Sequence, residues 1–253
     1  MATIAENIQT LRSIKSDIKN AIIQKGGSVT DAFGTYAQAI TNLPSGGGGG
    51  TEIEDALVQK TLSGTYYNNR ISMVGHDAFS GYSALTSIDF SNCIEVSGYA
   101  FNHCTSLQSV SLPLCEYIGG AAFQYCSLLI NINLQNCTHL EDNVFYHCSA
   151  LPSIDLPNCS FMAGGIFNYC TSLVTVKLPI CNKIGGGAFA NCINLKEVYL
   201  NSVTSVTSLT YNNVFTNCPN LTSVYVPASL VDAFKTAQYW SSISSKIVAY
   251  KEA

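Results

Sequence analysis

The sequence predicts an α+β protein: a solenoid whose parallel sheet takes one short strand from each 22-residue repeat, preceded by a small helical N-terminal module. Three observations predict this fold. Phenylalanine recurs every 22 residues, the residues that follow each phenylalanine alternate between apolar and polar, and five consecutive glycines separate the repeats from an amphipathic N-terminal segment. A fixed period of about 20 to 50 residues is typical of solenoids.

Each repeat carries a phenylalanine, then a leucine six residues later, then apolar residues nine and eleven residues later. The phenylalanines are Phe79, Phe101, Phe123, Phe145, Phe167, Phe189 and, after a four-residue insertion near residues 207–211, Phe215. A polar residue separates the last two apolar positions, as in Val110-Ser111-Leu112, which predicts a half-buried strand. Stacked repeats would place these strands about 4.8 Å apart. A single turn cannot bury its own apolar face, so each turn must be covered by its neighbours.

The composition fits such a solenoid and excludes several classes of partner. The chain has 253 residues, of which 47% are hydrophobic and 11% charged, with a net charge of −4. We expect no nucleic-acid partner, because there is no basic patch. We also expect no membrane insertion, because there is no long apolar run. The first 21 residues are too charged for a signal peptide, so we expect synthesis in a bacterial cytoplasm.

The eleven cysteines follow the repeat rather than a metal-binding pattern. They occupy the positions three and fourteen residues after each phenylalanine, where Tyr82 and Val203 also occur. These substitutions indicate that the positions need an apolar filler, and buried cysteine packs as a small hydrophobic residue. There is no C-x-x-C motif with zinc spacing. We therefore predict free thiols, although cysteines on adjacent turns would lie within disulfide range, so some oxidation stays open.

The N-terminal segment reads as a helical attachment or oligomerisation module, residues 1–44, followed by a glycine-rich linker, residues 45–50. An amphipathic helix is predicted over residues 3–25 and a second helix over about residues 30–42. The apolar stripe of the first helix is Ile4, Ile8, Leu11, Ile14, Ile18 and Ile22. This stripe must pack on something, and a dimer or trimer, a partner protein and a self-contained hairpin all remain open.

The repeats are predicted to form a solenoid domain over residues 51–227, with an N-terminal cap at 51–75 and a C-terminal cap at 228–253. Both ends of a solenoid need atypical capping segments. Residues 65–70 read as a turn within the first cap. In the second cap we expect a short helix over residues 229–237 and an anchoring role for Trp240.

The repeat motif A-F-x-x-C-x-x-L-x-x-V-x-L, followed by I-G, resembles the BspA-type (treponemal) class of leucine-rich repeats over roughly residues 71–227. One copy runs from Ala100-Phe101 to Ile118-Gly119. The resemblance implies a curved parallel-sheet solenoid used for binding and not an enzyme. The first 50 or so residues resemble the start of tailed-phage and prophage virion proteins, in which a small helical module precedes a variable distal domain.

The sequence shows no pattern typical of catalysis, and we predict no catalytic, cofactor-binding or metal-binding residues. It lacks G-x-S-x-G, H-E-x-x-H and P-loop motifs. His103 and His147 lie two repeats apart, about 10 Å, which is too far to share a metal or a proton. Tyr125 and Tyr169 occupy the same repeat position. This column is either a half-exposed turn position or a stripe on which a ligand stacks, and both interpretations remain open.

The outer face of the predicted sheet is the candidate binding surface. The outward residues eight after each phenylalanine are Ser87, Ser109, Asn131, Ser153, Thr175, Glu197 and Ser223. Those ten after are Asp89, Ser111, Asn133, Asp155, Lys177, Tyr199 and Tyr225. They predict a concave polar strip. We place a ligand site at Asp155, Lys177, Glu197, Tyr199 and Tyr225, because tyrosines with polar groups suit carbohydrate or protein surfaces. A solvated face with no ligand is the alternative.

Together these features predict a non-enzymatic phage or prophage tail protein that binds a host cell-surface protein or glycan. Residues 1–44 would bind virion tail proteins or form a homo-oligomer, and the repeats would contact the host. The expected location is then the virion tail. The alternative is a bacterial BspA-like adhesion or protein-protein interaction module not associated with virions, located in the bacterial cytoplasm or at the cell surface.

Overall fold

The structure is a computed structural model that describes residues 63–251. The predicted helical module at 1–44, the linker at 45–50 and the start of the N-terminal cap at 51–62 lie outside the described residues. Within residues 63–251 the chain forms a solenoid of parallel strands, which confirms the predicted fold. None of the helices in this part of the chain is long and apolar enough to cross a membrane.

One side of the solenoid carries the predicted strands. They are β3 (Leu85–Asp89), β5 (Ser109–Ser111), β7 (Asn131–Asn133), β9 (Ser153–Asp155), β11 (Thr175–Lys177), β13 (Glu197–Tyr199) and β15 (Ser223–Val226). Two further strands that the repeat did not predict lie at the ends of this side, β1 (Gly64–Tyr67) and β16 (Ile247–Ala249). Corresponding repeat positions face each other, as in Val176 opposite Val198. The strands form two parallel sheets, β1-β3-β5-β7 and β9-β11-β13-β15-β16, so pairing is interrupted between β7 and β9.

A second side of the solenoid carries a continuous seven-stranded parallel sheet that the sequence did not predict. Its two-residue strands are β2 (Met73–Val74), β4 (Glu95–Val96), β6 (Tyr117–Ile118), β8 (His139–Leu140), β10 (Phe161–Met162), β12 (Lys183–Ile184) and β14 (Ser208–Leu209). The second residue of each strand is buried and the first is not. Two residues are too few to show an alternating pattern, so only the repeated apolar residue before Gly119 and its equivalents signals this sheet.

The core is a column of stacked phenylalanine rings that runs the length of the solenoid. Consecutive rings from Phe79 to Phe215 lie 5.0–5.6 Å apart between centroids, at interplanar angles of 3–11°. Backbone hydrogen bonds also join successive turns next to the phenylalanines. For example, the Phe101 amide donates to the Ala122 carbonyl at 2.7 Å. Residues two before and two after the phenylalanine take left-handed conformations, as in Ala121 (φ 55°) and Tyr125 (φ 60°). Each turn therefore bends sharply on both sides of its phenylalanine.

The two ends of the described solenoid are closed differently. The C-terminal end is closed by the elements that follow β15. They are a 3₁₀ turn (Ala228–Leu230), helix α1 (Val231–Thr236), a second 3₁₀ segment (Trp240–Lys246) and β16. Trp240, expected to anchor this end, is buried, packs on Phe234 with ring centroids 5.1 Å apart, and donates its indole N–H to the Thr207 carbonyl at 2.6 Å.

At the N-terminal end the predicted turn at residues 65–70 is wrong for its first part. Strand β1 extends to Tyr67 and pairs in parallel with β3, so it forms the first rung of the sheet. The reason is Tyr66, which points inward, is 8% exposed, and packs against Phe79 and Phe90 with ring centroids 6.0 and 5.6 Å away. The sequence looked like a turn here because the residues around Tyr66 are polar or exposed, namely Thr65, Tyr67 and Asn68-Asn69.

We expect the Gly119→Ala substitution to destabilise the solenoid, because the backbone of the preceding turn lies where the new methyl group would go. A Cβ at this position would lie 2.5 Å from the Gly98 nitrogen and 2.8 Å from the Ser97 carbonyl carbon. We expect a loss of about 1–3 kcal/mol in the free energy of unfolding. Gly120→Ala is the matched control, since its Cβ would meet the Asp142 carbonyl oxygen at 3.4 Å, an ordinary contact. Urea unfolding of both variants tests this, and equal stabilities would contradict it.

Candidate binding face

The outward side chains of β3, β5, β7, β9, β11, β13 and β15 form one polar surface, called here the strand face. All fourteen outward positions predicted from the repeat are half-buried or exposed, whereas the residues between them are largely buried. The five predicted site residues all lie on this face, on the neighbouring strands β9, β11, β13 and β15. In register, Lys177 lies between Asp155 and Tyr199, and Tyr199 lies next to Tyr225.

At the C-terminal end of the strand face, Glu197, Tyr199, Tyr225 and Tyr250 form what we call the tyrosine cluster. The rings of Tyr199 and Tyr225 stack with centroids 4.6 Å apart. Their hydroxyls donate to the two carboxylate oxygens of Glu197, at 3.2 and 3.3 Å. Desolvation, and then the charge of Glu197, raise the pKa of Tyr199, which keeps its hydroxyl protonated. One carboxylate therefore fixes both rings in a single orientation.

Tyr250 belongs to the tyrosine cluster, although the sequence placed it only in the C-terminal cap. Its ring lies edge-on to Tyr199 and Tyr225, with centroids 6.2 and 6.5 Å away. It is brought there because β16 adds one more parallel strand beside β15, with Ile247 opposite Val224. The consecutive β-branched residues Ile247 and Val248 are the weak signal that could have revealed this strand.

Asp155 and Lys177 form a second group beside the tyrosine cluster. Their charged atoms lie 4.0 Å apart, and both side chains are about half exposed (52% and 55%). An ion pair this exposed and this long contributes little to stability. Both charges thus remain available to a ligand. The predicted site is therefore two adjacent groups on one face rather than one constellation.

An open cavity of ≈ 560 Å³ indents the strand face where pairing is interrupted between β7 and β9. Its wall includes the polar side chains of Asn133, Asp155 and Lys177, and its apolar part comes from Ile132 and Ile154. Sequence reasoning placed Asp155 and Lys177 near a ligand but did not foresee this cavity. The cavity lies where the sheet is interrupted, and the repeat pattern, which is the same in every turn, could not predict an interruption.

The aromatic residues two positions after the repeat phenylalanines form a column whose rings pack on one another. The rings of His103, Tyr125, His147 and Tyr169 stack in order, with centroids 4.5, 5.1 and 4.4 Å apart. Tyr146 packs edge-on against the last three of them. Most ring faces in the column are thus covered by neighbouring rings and cannot receive a flat ligand. The geometry favours the turn-position interpretation over a ligand-stacking stripe.

The cysteines are free thiols, as predicted, and all but Cys218 are buried. In one column each thiol donates to the carbonyl of a phenylalanine in the preceding turn, as Cys148 does to Phe123 at 3.1 Å. Burial raises the pKa of the Cys137 and Cys181 thiols to about 11, so they are poor nucleophiles. Among residues 63–251 no group of three His, Cys, Asp or Glu side chains could hold a metal ion.

Comparison with protein families identifies the repeats. The sequence matches the BspA type leucine rich repeat region, in six copies, over residues 53–174 and 138–249. The chain belongs to this family. The match confirms the family inferred from the repeat motif, and it extends across the C-terminal cap to β16. The resemblance of the N-terminal segment to virion proteins stays a prediction.

Solved structures of bacterial leucine-rich repeat proteins are similar to the chain. The T. pallidum leucine rich repeat protein TpLRR is 24% identical, over 65% of this chain and 85% of that one, with a TM-score of 0.51, which supports the fold. A leucine rich cell surface protein from Faecalibacterium prausnitzii is 24% identical over 63% of this chain, with a TM-score of 0.43. The chain spans 60% of that protein. No protein with a curated description matches the sequence.

Proposed function

We propose that this BspA-type repeat protein is a non-enzymatic adhesion protein that binds a protein or glycan on a host cell surface through its strand face. Family membership supports the coarser statement, that the chain is a binding or adhesion module. The tyrosine cluster carries the proposal for this face. It presents aromatic rings and hydroxyls in a fixed orientation on a hydrogen-bonded sheet.

The tyrosine cluster suits recognition of a macromolecular surface. Tyrosine offers a large amphipathic contact area and loses little conformational entropy on binding. Here Glu197 already holds two rings in place, so less freedom remains to be lost. Lys177, beside Tyr199 in register, adds a half-exposed ammonium group at the edge of the cluster. This arrangement offers a partner a contact surface with tyrosine rings at its centre and the charge of Lys177 at its edge.

We further propose that the protein acts on a phage or prophage tail. Residues 1–44 would bind tail proteins or associate as a dimer or trimer, so that several strand faces engage the host together and weak single contacts add up. The alternative is a BspA-like adhesion or protein-protein interaction module unconnected with virions. The family match is compatible with either role, since it supports only a binding or adhesion module.

The test is binding of the labelled full chain to candidate host-cell envelopes, compared with the double variant Tyr199→Ala/Tyr225→Ala. We expect this variant to lose at least about tenfold in affinity. The matched control is Ser109→Ala/Ser111→Ala, at the other end of the strand face, which we expect to bind as the unmodified chain does. Equal binding by both double variants would remove the tyrosine cluster from the proposal. Co-purification of the chain with phage particles distinguishes the tail role from the alternative.

A further inference from the structure

The sheet on the strand face is interrupted because of Pro152. In neighbouring turns the residue seven after the phenylalanine donates its amide to the preceding turn, as Val174 does to Pro152 and Lys196 does to Val174, at 2.8 and 2.9 Å. Pro152 occupies this position in its own turn and has no N–H to donate to Ile130. Proline is expected in a sheet only where pairing can be lost. Here it removes the first hydrogen bond between two successive turns.

The rest of the β7–β9 pair is open as well. Elsewhere the residue after the strand donates to the next turn, as Leu112 does to the Asn133 carbonyl and Leu156 does to the Lys177 carbonyl. Between Leu134 and Asp155 this bond is not formed, and the described strands β7 and β9 are not paired. Ile132 is half-buried, whereas its equivalents Val110 and Ile154 are buried. The second sheet stays paired across the same turns, from β8 to β10. The solenoid thus opens on the strand face alone.

The opening is lined by complementary polar groups rather than by a bare backbone. Asp155 supplies a carboxylate acceptor, Lys177 an ammonium donor, and Asn131 and Asn133 supply amides. The amide oxygen of Asn133 is shielded from water and has no hydrogen-bond partner among the described residues. Leaving a buried acceptor without a hydrogen bond is unfavourable. Rotation of this amide would bring it to a molecule in the cavity and satisfy it.

We propose that this cavity binds one neutral pyranose ring of a glycan. The opposite charges of Asp155 and Lys177 leave the lining without net charge, which matches an uncharged ligand. Sugar hydroxyls both donate and accept, so they can pair with the carboxylate, the ammonium and the amides at once. The C–H face of the ring would lie on Ile132, the half-buried apolar residue of the lining. The volume of ≈ 560 Å³ lies within the usual range for small-molecule sites.

This inference names a ligand class for the strand face and so rests on the proposed function, but its site is separate from the tyrosine cluster. The test uses the purified full chain and needs no host cell. Methyl glycosides of glucose, galactose, mannose and N-acetylglucosamine are titrated and followed by saturation-transfer NMR and calorimetry. We expect saturable binding of at least one of them, with a Kd of roughly 1 mM, as befits a single ring in an open site.

Two variants locate the binding. Asn133→Ser introduces the residue found at the same position one turn earlier, Ser111, and we expect at least a tenfold loss of affinity. Pro152→Val introduces the residue found one turn later, Val174, and restores the missing N–H without touching the lining. We expect it to close the gap, to give the new amide of residue 152 protection from hydrogen exchange, to slow exchange at the amide of Leu134, and to lower the affinity at least tenfold. Ser109→Ala, elsewhere on the strand face, is the control.

Three results would overturn the inference. They are the absence of saturable binding for every neutral glycoside up to about 50 mM, unchanged affinity in Asn133→Ser, and unchanged affinity in Pro152→Val. Tighter binding of a free amino acid in the same cavity would also overturn the inference, because the ligand would then be a zwitterion rather than a neutral sugar. If glycosides fail but Tyr199→Ala/Tyr225→Ala still abolishes attachment to envelopes, the proposed function stands without this site. If glycosides bind but Tyr199→Ala/Tyr225→Ala leaves attachment to envelopes unchanged, this site stands and the role proposed for the tyrosine cluster fails.

Discussion

Raising the pH from about 7 to about 9.5 should unfold the solenoid under reducing conditions. The cause is the set of buried and half-buried thiols. Burial raises the pKa of the thiols of Cys126, Cys137, Cys148, Cys159, Cys170, Cys181, Cys192 and Cys218. In the unfolded chain a thiol titrates with a pKa near 8.5. Above that pH the unfolded state releases protons that the folded state retains, so the equilibrium moves towards the unfolded state.

The size of this effect is large because the thiols act together. The stabilisation is complete below a pH of about 8.5 and falls as the pH rises towards the folded-state pKa values, by up to about 1.4 kcal/mol per thiol for each pH unit. For the whole set the loss at about pH 9.5 is on the order of 10 kcal/mol. This is comparable to the entire free energy of unfolding of a typical domain, about 5–15 kcal/mol. Tyrosines titrate later, near pH 10, and add little over this range.

Circular dichroism and urea unfolding across this pH range, with reductant present, test the prediction. We expect the transition to be reversible on return to neutral pH. The control uses Cys137→Val and Cys181→Val, because Val203 shows that valine fits this column. Each substitution should reduce the loss of stability between about pH 8.5 and 9.5 by roughly 1 kcal/mol. A free energy of unfolding that stays constant to about pH 9.5 would show that the thiols are not buried in the folded state.

The cysteine columns also show why so much of the fold could be predicted. In a repeat, each position meets the same environment many times, so one substitution reveals what the position requires. Tyr82 and Val203 in the cysteine columns identified those positions as apolar, and both residues are buried. The same argument placed Asp155 and Lys177 on the strand face. Repetition supplied the evidence that a single sequence normally lacks.

The features that escaped prediction are those that break or shorten the pattern. The two-residue strands of the second sheet are too short to alternate, and β1 has polar neighbours on both sides of Tyr66. Tyr250 reaches the tyrosine cluster only because β16 joins the sheet out of repeat. The cavity lies at the gap between β7 and β9, where Pro152 cannot donate a hydrogen bond. Pro152 was visible in the sequence, but its effect needs the hydrogen bond made at that position in the other turns, and only the structure supplies that.

Replacing Phe145 by alanine should divide the solenoid into two parts that unfold separately. Phe145 is fully buried and stacks on Phe123 and Phe167, with centroids 5.6 and 5.4 Å away. Removing such a ring costs about 3–5 kcal/mol. In a solenoid each turn is stabilised by its neighbours, so the loss falls on the contacts with the adjacent turns. The contact with the preceding turn already lacks the β7–β9 hydrogen bonds, because Pro152 cannot donate. It should therefore become the weakest point of the array.

Phe101→Ala is the matched control for this prediction. Phe101 is equally buried and equally stacked, on Phe79 and Phe123 at 5.0 and 5.1 Å, but the strand pairs on both sides of its turn, β3–β5 and β5–β7, are intact. Trp240, the single tryptophan, lies in the C-terminal cap and reports on the half of the array after the gap. In urea, tryptophan fluorescence and circular dichroism should give different midpoints for Phe145→Ala and coincident midpoints for Phe101→Ala. Coincident midpoints in both variants would mean that the second sheet and the phenylalanine column couple the turns across the gap as strongly as anywhere else. In that case the opening at Pro152 would be a local feature of the strand face, with no effect on the cooperativity of the fold.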